Sequence, residues 1–328
     1  MLVERMELSE RRGLSPVAII AILAALTVAS IALFMTIDVR GKWGFVLTFR
    51  GTKIAAMVLV GYSIAVSTVL FQTITNNRIL TPSVMGFDFL YRLIQSALVF
   101  YLGAATVSTM DPRLRFVVEV VAMVVFSCLL YRWLFSGNRR SLHLLMLVGI
   151  VFGVLFRSLS SFLQRIIDPN EFLVVQDRLF ASFNRVDSQL LAVSAVVVLA
   201  VSVVGWRWRR TFDVLALGRD AAVNLGIDHH RAVMTVLVLV AILVSVSTAL
   251  VGPVTFFGLL VANLAYMLIR SHRHSLILPA AALIAILTLT GGQLILERVF
   301  GFNSALSIVI EFVGGIFFLF ILVRGSTR

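Results

Sequence analysis

Long apolar stretches recur along the whole chain and are separated by short polar segments. Six of them contain no Asp, Glu, Lys or Arg: 17–37, 54–72, 189–206, 232–251, 252–269 and 275–296. Four more are as apolar apart from one or two charges each: 84–107, 116–135, 142–164 and 304–323. A helix needs about 20 apolar residues to cross roughly 30 Å of hydrocarbon. The pattern therefore predicts about ten transmembrane spans.

The form of these stretches predicts helices. Strands of a membrane barrel alternate apolar and polar side chains, whereas these stretches are continuously apolar. In lipid, a helix satisfies its backbone hydrogen bonds within one segment. The predicted fold is all-α: one polytopic membrane domain over residues 1–328, with about ten transmembrane helices and a short helix in its largest cytoplasmic loop.

Composition supports a membrane location and indicates an orientation. Hydrophobic residues make up 60% of the chain and charged residues 13%, about half the charged share of soluble domains. With the N-terminus inside and ten crossings, sixteen of the 28 basic residues lie on inner segments and ten on outer ones. Because basic residues concentrate on cytoplasmic loops, both termini are predicted to be cytoplasmic. The net charge of +12 is dispersed, so it does not require a nucleic-acid partner.

The sequence lacks the usual signatures of catalysis. It contains no Gly-x4-Gly-Lys-Ser/Thr loop for nucleotide phosphates and no nucleophile or metalloprotease motif. Its histidines at 229, 230, 272 and 274 lack a Cys or acidic cluster that would complete a metal site. We therefore predict no enzymatic activity, no cofactor and no resident metal.

The largest predicted cytoplasmic loop, 207–231, contains a segment, 213–227, with the composition of short helices. Asp213 is a polar start, Ala and Leu fill the middle, and Gly226 favours a helix stop. Such a helix either lies at the membrane interface or docks in a groove of a soluble partner. The residues alone favour the interfacial alternative.

Four motifs, in this order along the chain, resemble one family of transport proteins. Leu215 to Gly226, read as Leu-Ala-Leu-Gly-Arg-Asp-Ala-Ala-Val-Asn-Leu-Gly, resembles the ATPase-contacting segment of the iron-chelate and cobalamin permeases of ATP-driven importers. The other motifs are Gly61 to Gln72 with Asn77 and Gly86, Gly252 to Val261, and Gly314 to Phe318. Together they cover nearly the whole chain, and their order is more specific than any one motif.

The resemblance implies that residues 1–328 form a permease domain in the bacterial cytoplasmic (inner) membrane. It implies a second permease subunit, identical or homologous, two ATP-binding subunits, a substrate-binding protein, and a ferric-siderophore cargo moved by alternating access. The implied coupling residues are Leu215, Ala216, Leu217, Gly218, Ala221, Leu225 and Gly226. Departures from the family pattern at 262–266, Arg78 and Gln293 resemble the branch that handles ferric catecholates and related siderophores.

Charged residues inside the predicted spans are costly in hydrocarbon, so they usually face a cavity or a partner. Asp88 and Arg92, four residues apart, would either pair as a structural unit or line a path. The fifth predicted span, 142–164, carries a polar stripe along one face, formed by Arg157, Ser160, Ser161 and Gln164. The resemblance implies that this helix lines the central path, where an arginine suits an anionic chelate. The alternative is a structural contact of Arg157 with another span.

Basic residues near the outer ends of two spans are candidates for docking. The resemblance aligns Arg50 and Lys53, before the second span, and Arg298, near the ninth, with positions that receive acidic side chains of the substrate-binding protein. Charge pairing at an exposed rim mainly sets orientation and association rate. Alternatively, these cations only anchor helix ends at lipid headgroups.

The competing function is an ion-gradient-driven secondary transporter or channel. Such a protein needs coupling sites near the middle of the membrane, and Asp88 or Glu311 would supply them. This alternative leaves the 215–226 motif unexplained.

Overall fold

The computed structural model describes residues 14–37, 43–135, 142–298 and 306–325. Over these ranges the chain forms fourteen α-helices and no β-strand. The helices are α1 Pro16–Thr36, α2 Trp43–Thr75, α3 Phe87–Leu102, α4 Ala104–Thr109, α5 Pro112–Phe135, α6 Leu142–Ile166, α7 Pro169–Leu179, α8 Ser188–Arg207, α9 Arg209–Leu215, α10 Arg219–Asn224, α11 His229–Val251, α12 Phe257–Leu268, α13 His274–Arg298 and α14 Leu306–Gly325. A 3-10 turn at Pro82–Met85 precedes α3.

Every predicted apolar stretch contains a helix, which confirms an all-α membrane fold. Within the described ranges, seven helices are long and apolar enough to cross a membrane: α1, α2, α5, α6, α8, α11 and α13. Helix α12 has 12 residues and is therefore only about 18 Å long. The count of ten crossings stays a prediction.

Three helices form the centre of the bundle. Helix α2 packs against both α11 and α13, α1 covers α13, and α5 covers α11. Helices α2, α11 and α13 are the most buried spans, whereas α1 and α8 are the most exposed. A Cβ added at Gly61 of α2 would lie 3.3 Å from the backbone nitrogen of Ile286 in α13. Small residues let membrane helices approach closely, and Gly61 does so here.

Two of the predicted spans begin late because the backbone turns inside an apolar stretch. The 82–85 turn ends at Gly86, whose φ of +86° is left-handed and favours glycine. Gly86 lies against Gly153 in the middle of α6. Likewise, residues 252–256 are not helical and α12 begins only at Phe257. Apolar composition predicted longer spans here because it does not report such turns.

Candidate coupling surface and transport path

Segment 213–227 folds as two short helices joined by a turn. Helix α9 ends at Leu215, and α10 follows from Arg219. Gly218 lies between them with φ +95° and ψ 171°, a region that side chains other than glycine's rarely adopt. The short helix expected from composition is therefore present, but it is divided at Gly218.

The two faces of this segment differ sharply in exposure. Phe212, Leu215 and Ala222 point into the bundle and are buried. Leu217 is 64% exposed and Leu225 63% exposed, and Val223 between them is also exposed. The other implied coupling residues are intermediate or exposed: Ala216, Gly218, Ala221 and Gly226. A group of exposed apolar side chains outside the spans is typical of an interaction site.

Asp213 attaches this segment to the central helices. Its Oδ1 atom accepts hydrogen bonds from the backbone nitrogen and from Nδ1 of His274, each at 2.7 Å. On the other side of the ring, Nε2 of His274 lies 2.7 Å from Oγ1 of Thr73. Sequence reasoning missed these contacts because Asp213 and His274 are 61 residues apart and no local pattern joins them.

The turn after α2 lies beside this attachment and uses two motif residues. Nε2 of Gln72 donates to the carbonyl oxygen of Arg78 at 2.7 Å, and Oδ1 of Asn77 accepts from the backbone of Ile79 at 2.9 Å. Asn263 of α12 also donates to the Arg78 carbonyl, at 3.1 Å. Asn263, a departure from the family pattern, therefore ties α12 to this turn.

The predicted polar stripe of α6 lies at the edge of its contact with α3. Ser160 is buried, and its hydroxyl lies 2.9 Å from that of Ser96 in α3. Gln164 donates to both hydroxyls, at 2.8 Å to Ser96 and 2.9 Å to Ser160. Arg157 and Ser161, on the adjacent part of the face, are exposed. The Arg157 guanidinium also lies over the ring of Phe89 in α3, 6.0 Å from its centroid, and a role of either residue in a path stays a prediction.

Asp88 lies at the start of α3 next to the non-helical segment before α12. Oγ1 of Thr255 donates to its Oδ2 at 3.4 Å, and Glu311 of α14 lies close to Thr255 and Asp88. Within the described ranges, Asp88 and Arg92 form no ion pair within 4 Å. Arg92 still acts electrostatically on Asp88, but the hydrogen bond of Asp88 to Thr255 joins two interrupted segments.

The three candidate docking cations meet at the end of the bundle opposite segment 213–227. Arg50 donates to the carbonyls of Phe34, Met35 and Ile37 at the end of α1, and Arg298 donates to that of Ile37 at 3.0 Å. Lys53 is buried and pairs with Glu297 at 3.1 Å. These contacts place the three residues at one end of the bundle, with Lys53 inside it. Their role in docking stays a prediction.

The same end contains a charged cavity that sequence reasoning missed. Its volume is about 540 Å³, and Arg115, Glu119, Asp177 and Arg178 are among its lining residues. Glu119 is buried, accepts from Nε2 of Gln95 at 2.6 Å and lies 3.5 Å from Arg115. Protein side chains therefore satisfy Glu119 within the bundle.

A bundle of apolar helices with polar contacts inside it, and with different surfaces at its two ends, is the architecture of a polytopic membrane protein. The chain belongs to the FecCD transport family, whose profile matches residues 13–324. It is therefore a membrane permease of the iron-chelate and cobalamin type, which confirms the resemblance read from the four motifs.

Relatives and a solved structure agree with this assignment. The chain is 50% identical over 305 residues to the petrobactin import system permease protein YclO of Bacillus subtilis, covering 93% of this chain and 96% of that one. It is 40% identical over 275 residues to the petrobactin import system permease protein FatC of Bacillus anthracis, covering 84% and 78%. A metal-chelate type ABC transporter, solved in an inward-facing conformation, superposes with a TM-score of 0.83 over 94% of this chain and 100% of that one. At 21% identity, that likeness shows the fold alone.

Proposed function

We propose that this chain is the permease subunit of an ATP-driven importer that moves a ferric siderophore of the petrobactin type across the bacterial cytoplasmic membrane. Family membership and two relatives named for petrobactin import support this cargo class. The complex would contain a second permease subunit, two ATP-binding subunits and a substrate-binding protein. ATP hydrolysis occurs on the separate chains, since this sequence lacks a phosphate loop.

The exposed apolar face of segment 213–227 carries the proposal. Leu217, Val223 and Leu225 expose apolar surface at the end of the bundle, while Leu215 and Phe212 anchor the segment from behind. Burying such side chains in a groove of an ATPase would stabilise the complex by roughly 1.5–3 kcal/mol for each leucine that becomes fully buried. This segment is the point at which nucleotide-driven motion enters the permease.

Uptake of labelled ferric petrobactin into proteoliposomes tests the function. We expect uptake to require the ATPase, the binding protein and ATP. Uptake that persists without the ATPase and collapses with the proton gradient would instead establish a secondary transporter.

Two exposed leucines test the coupling surface. Leu217→Ser and Leu225→Ser should weaken ATPase association at least about tenfold each, because each removes apolar contact area with the partner. Leu173→Ser is the matched control, since Leu173 is similarly exposed but lies in α7 at the other end. Bulky replacements at Gly218 and Ala221 should also abolish association and uptake. Unchanged uptake in all four variants would show that segment 213–227 does not couple the ATPase to transport.

The opposite end would receive the substrate-binding protein. Arg298 is exposed beside Arg50, so acidic side chains of the binding protein can reach it. Lys53, buried against Glu297, would support this rim through α2. Arg298→Glu should slow association of the binding protein and remove its salt dependence, because rim charges act mainly on the association rate. Arg165→Glu, at another exposed site in α6, should change neither; equal effects would argue against a specific docking site.

The cargo path would run along the exposed side of α6. Arg157 and Ser161 would offer transient hydrogen bonds to an anionic chelate, while Ser160 and Gln164 hold α6 against α3. Asp88 and Arg92, in the first two turns of α3, would contribute to the path or hold α3 in position. With segment 213–227 on the cytoplasmic side, both termini would be cytoplasmic. Cysteine labelling of the two termini from each side of the membrane tests that orientation.

A further inference from the structure

We propose that Asp213, His274 and Thr73 form a positioning relay that transmits movement of segment 213–227 to the central helices α13 and α2. The proposal rests on the proposed function, because it assigns the route by which ATPase-driven motion reaches the spans. These residues are placed outside the exposed face that would contact the ATPase.

Hydrogen-bond chemistry fixes the Nδ1 side of the imidazole, whereas the Thr73 hydroxyl on its Nε2 side also lies 2.8 Å from the carbonyl oxygen of Val69. A carboxylate only accepts hydrogen bonds, so Nδ1 of His274 must carry hydrogen and donate to Asp213 at 2.7 Å. The backbone nitrogen of His274 donates to the same oxygen, also at 2.7 Å. Nε2 then faces Oγ1 of Thr73 at 2.7 Å. The imidazole therefore bridges a carboxylate on one element to a hydroxyl on another.

The hydrogen-bonded bridge from Asp213 through His274 to Thr73 is largely buried. His274 is 2% exposed and Thr73 7% exposed, and the ring of Phe212 packs edge-on against the imidazole with 6.0 Å between centroids. Buried polar groups that lose their partners are costly. The Asp213 side chain is 35% exposed, so water can reach its carboxylate, but the buried imidazole of His274 would lose a hydrogen-bond partner if α9 moved away.

The three residues lie at or near the ends of three helices, so the relay would transmit movement from one helix to the others. Asp213 is in α9, His274 is the first residue of α13, and Thr73 is in the last turn of α2. Helices α2 and α13 pack against each other through the centre of the bundle. A displacement of α9 therefore acts on the ends of two packed central helices together, and does not dissipate in a flexible loop.

The test compares transport coupling with assembly in the complete reconstituted importer. Asp213→Asn, which removes the charge, and Thr73→Val, which removes the hydroxyl at similar volume, should each lower cargo transported per ATP hydrolysed about tenfold. ATPase association and ATP hydrolysis should stay within about twofold of the unsubstituted protein, since the Leu217 face is intact. Thr73→Ser keeps the hydroxyl and should restore coupling.

Asp228→Asn is the matched control, because Asp228 lies in the same loop and pairs with Arg231 on the surface. An unchanged ratio of cargo to ATP in Asp213→Asn and Thr73→Val would overturn the relay. So would loss of ATPase association in proportion to uptake, since the residues would then only hold the segment in shape. If the Asp213→Asn chain does not fold into the membrane at all, the Thr73→Val and Thr73→Ser pair decides alone. Failure of the unsubstituted complex to transport would instead reject the proposed function.

Discussion

Lys53 and Glu297 illustrate, at the residue scale, how charge is accommodated inside the bundle. Their side chains are 7% and 12% exposed, and Gln293 also donates to Glu297 at 2.9 Å. Desolvating both charges is costly, so the pair adds little net stability. Removing one partner is different, because it leaves the other charge buried without its counter-charge.

Glu297→Gln should therefore destabilise the permease by about 1–3 kcal/mol, because Lys53 stays buried while its counter-charge is lost. Thermal unfolding of the purified chain in detergent measures this. The control is Asp177→Asn, which breaks the exposed pair between Asp177 and Arg185. Exposed pairs contribute only about 0–1 kcal/mol, so similar midpoint shifts for both variants would contradict a buried pair.

Sequence alone indicated which residues carry charge inside the spans, but only local partners could be considered for them. Asp88 and Arg92 share a helical face at i, i+4, yet Asp88 contacts Thr255, 167 residues away. Lys53 and Glu297 are separated by 244 residues. Helical periodicity identifies residues on one face, whereas the neighbouring helix on that face is set by the packing of the whole bundle.

At the scale of elements, close contacts between helices and turns depend on glycine. Gly149 of α6 lies under the 82–85 turn, and a Cβ added there would lie 2.9 Å from Cα of Met85. A backbone atom cannot rotate out of the way as a side chain can. The turn and α6 would have to separate.

Gly149→Ala should accordingly cost about 1–3 kcal/mol, as overpacking of a tight core does. The matched control is Gly205→Ala in α8, where a Cβ meets no atom within 4 Å. That substitution should be neutral or stabilising by up to about 1 kcal/mol, because alanine favours a helix over glycine. Thermal midpoints of the two variants provide the measurement, and the prediction fails if Gly149→Ala unfolds no earlier than Gly205→Ala.

The helices themselves were largely predictable, because continuous apolar stretches of this length have few other solutions in lipid. Stretch 189–206 matches α8, which begins after Asp187 caps its first turn. Stretches 84–107 and 252–269 were predicted too long, since backbone turns at Gly86 and Gly252 shorten α3 and α12. These turns are what bring Asp88 and Thr255 together.

At the scale of the whole molecule, the two ends of the bundle differ in chemistry. One end exposes apolar side chains at Leu217 and Leu225. The other gathers cations such as Arg298 around a charged cavity. A partner with an apolar groove therefore suits one end, and a partner attracted by charge suits the other. This arrangement fits the proposed importer, in which the ATPase and the substrate-binding protein bind opposite ends. The sequence predicted that segment 213–227 and the candidate docking cations lie on opposite sides of the membrane. It did not distinguish exposed Leu217 from buried Leu215, because that difference depends on the fold.

The proposed path between two permease subunits is also a property of the whole assembly, and Ser161 provides a test of it. In a Cys128→Ser background, Ser161→Cys should react with a charged thiol reagent at least about tenfold faster than Val196→Cys, because the reactive thiolate forms in water and not in hydrocarbon. Val196 of α8 is also exposed in the isolated chain and would face lipid. The rate at Ser161→Cys should also change when loaded binding protein or ATP is added, as alternating access requires.

Equally slow labelling at both positions would keep water from the exposed side of α6, which would then lie against lipid or against a second subunit. Against lipid, Arg157 would be a charge at the membrane surface of the subunit, where the cost of desolvation makes it untenable unless its head reaches an interface. Because Arg157 lies nine residues from Ile166, at the end of α6, it is about 14 Å from that end, beyond easy reach of the headgroups. A water-filled path or a second subunit against this face resolves the difficulty, and the labelling rate distinguishes the two, since only a path leaves Ser161→Cys in contact with water.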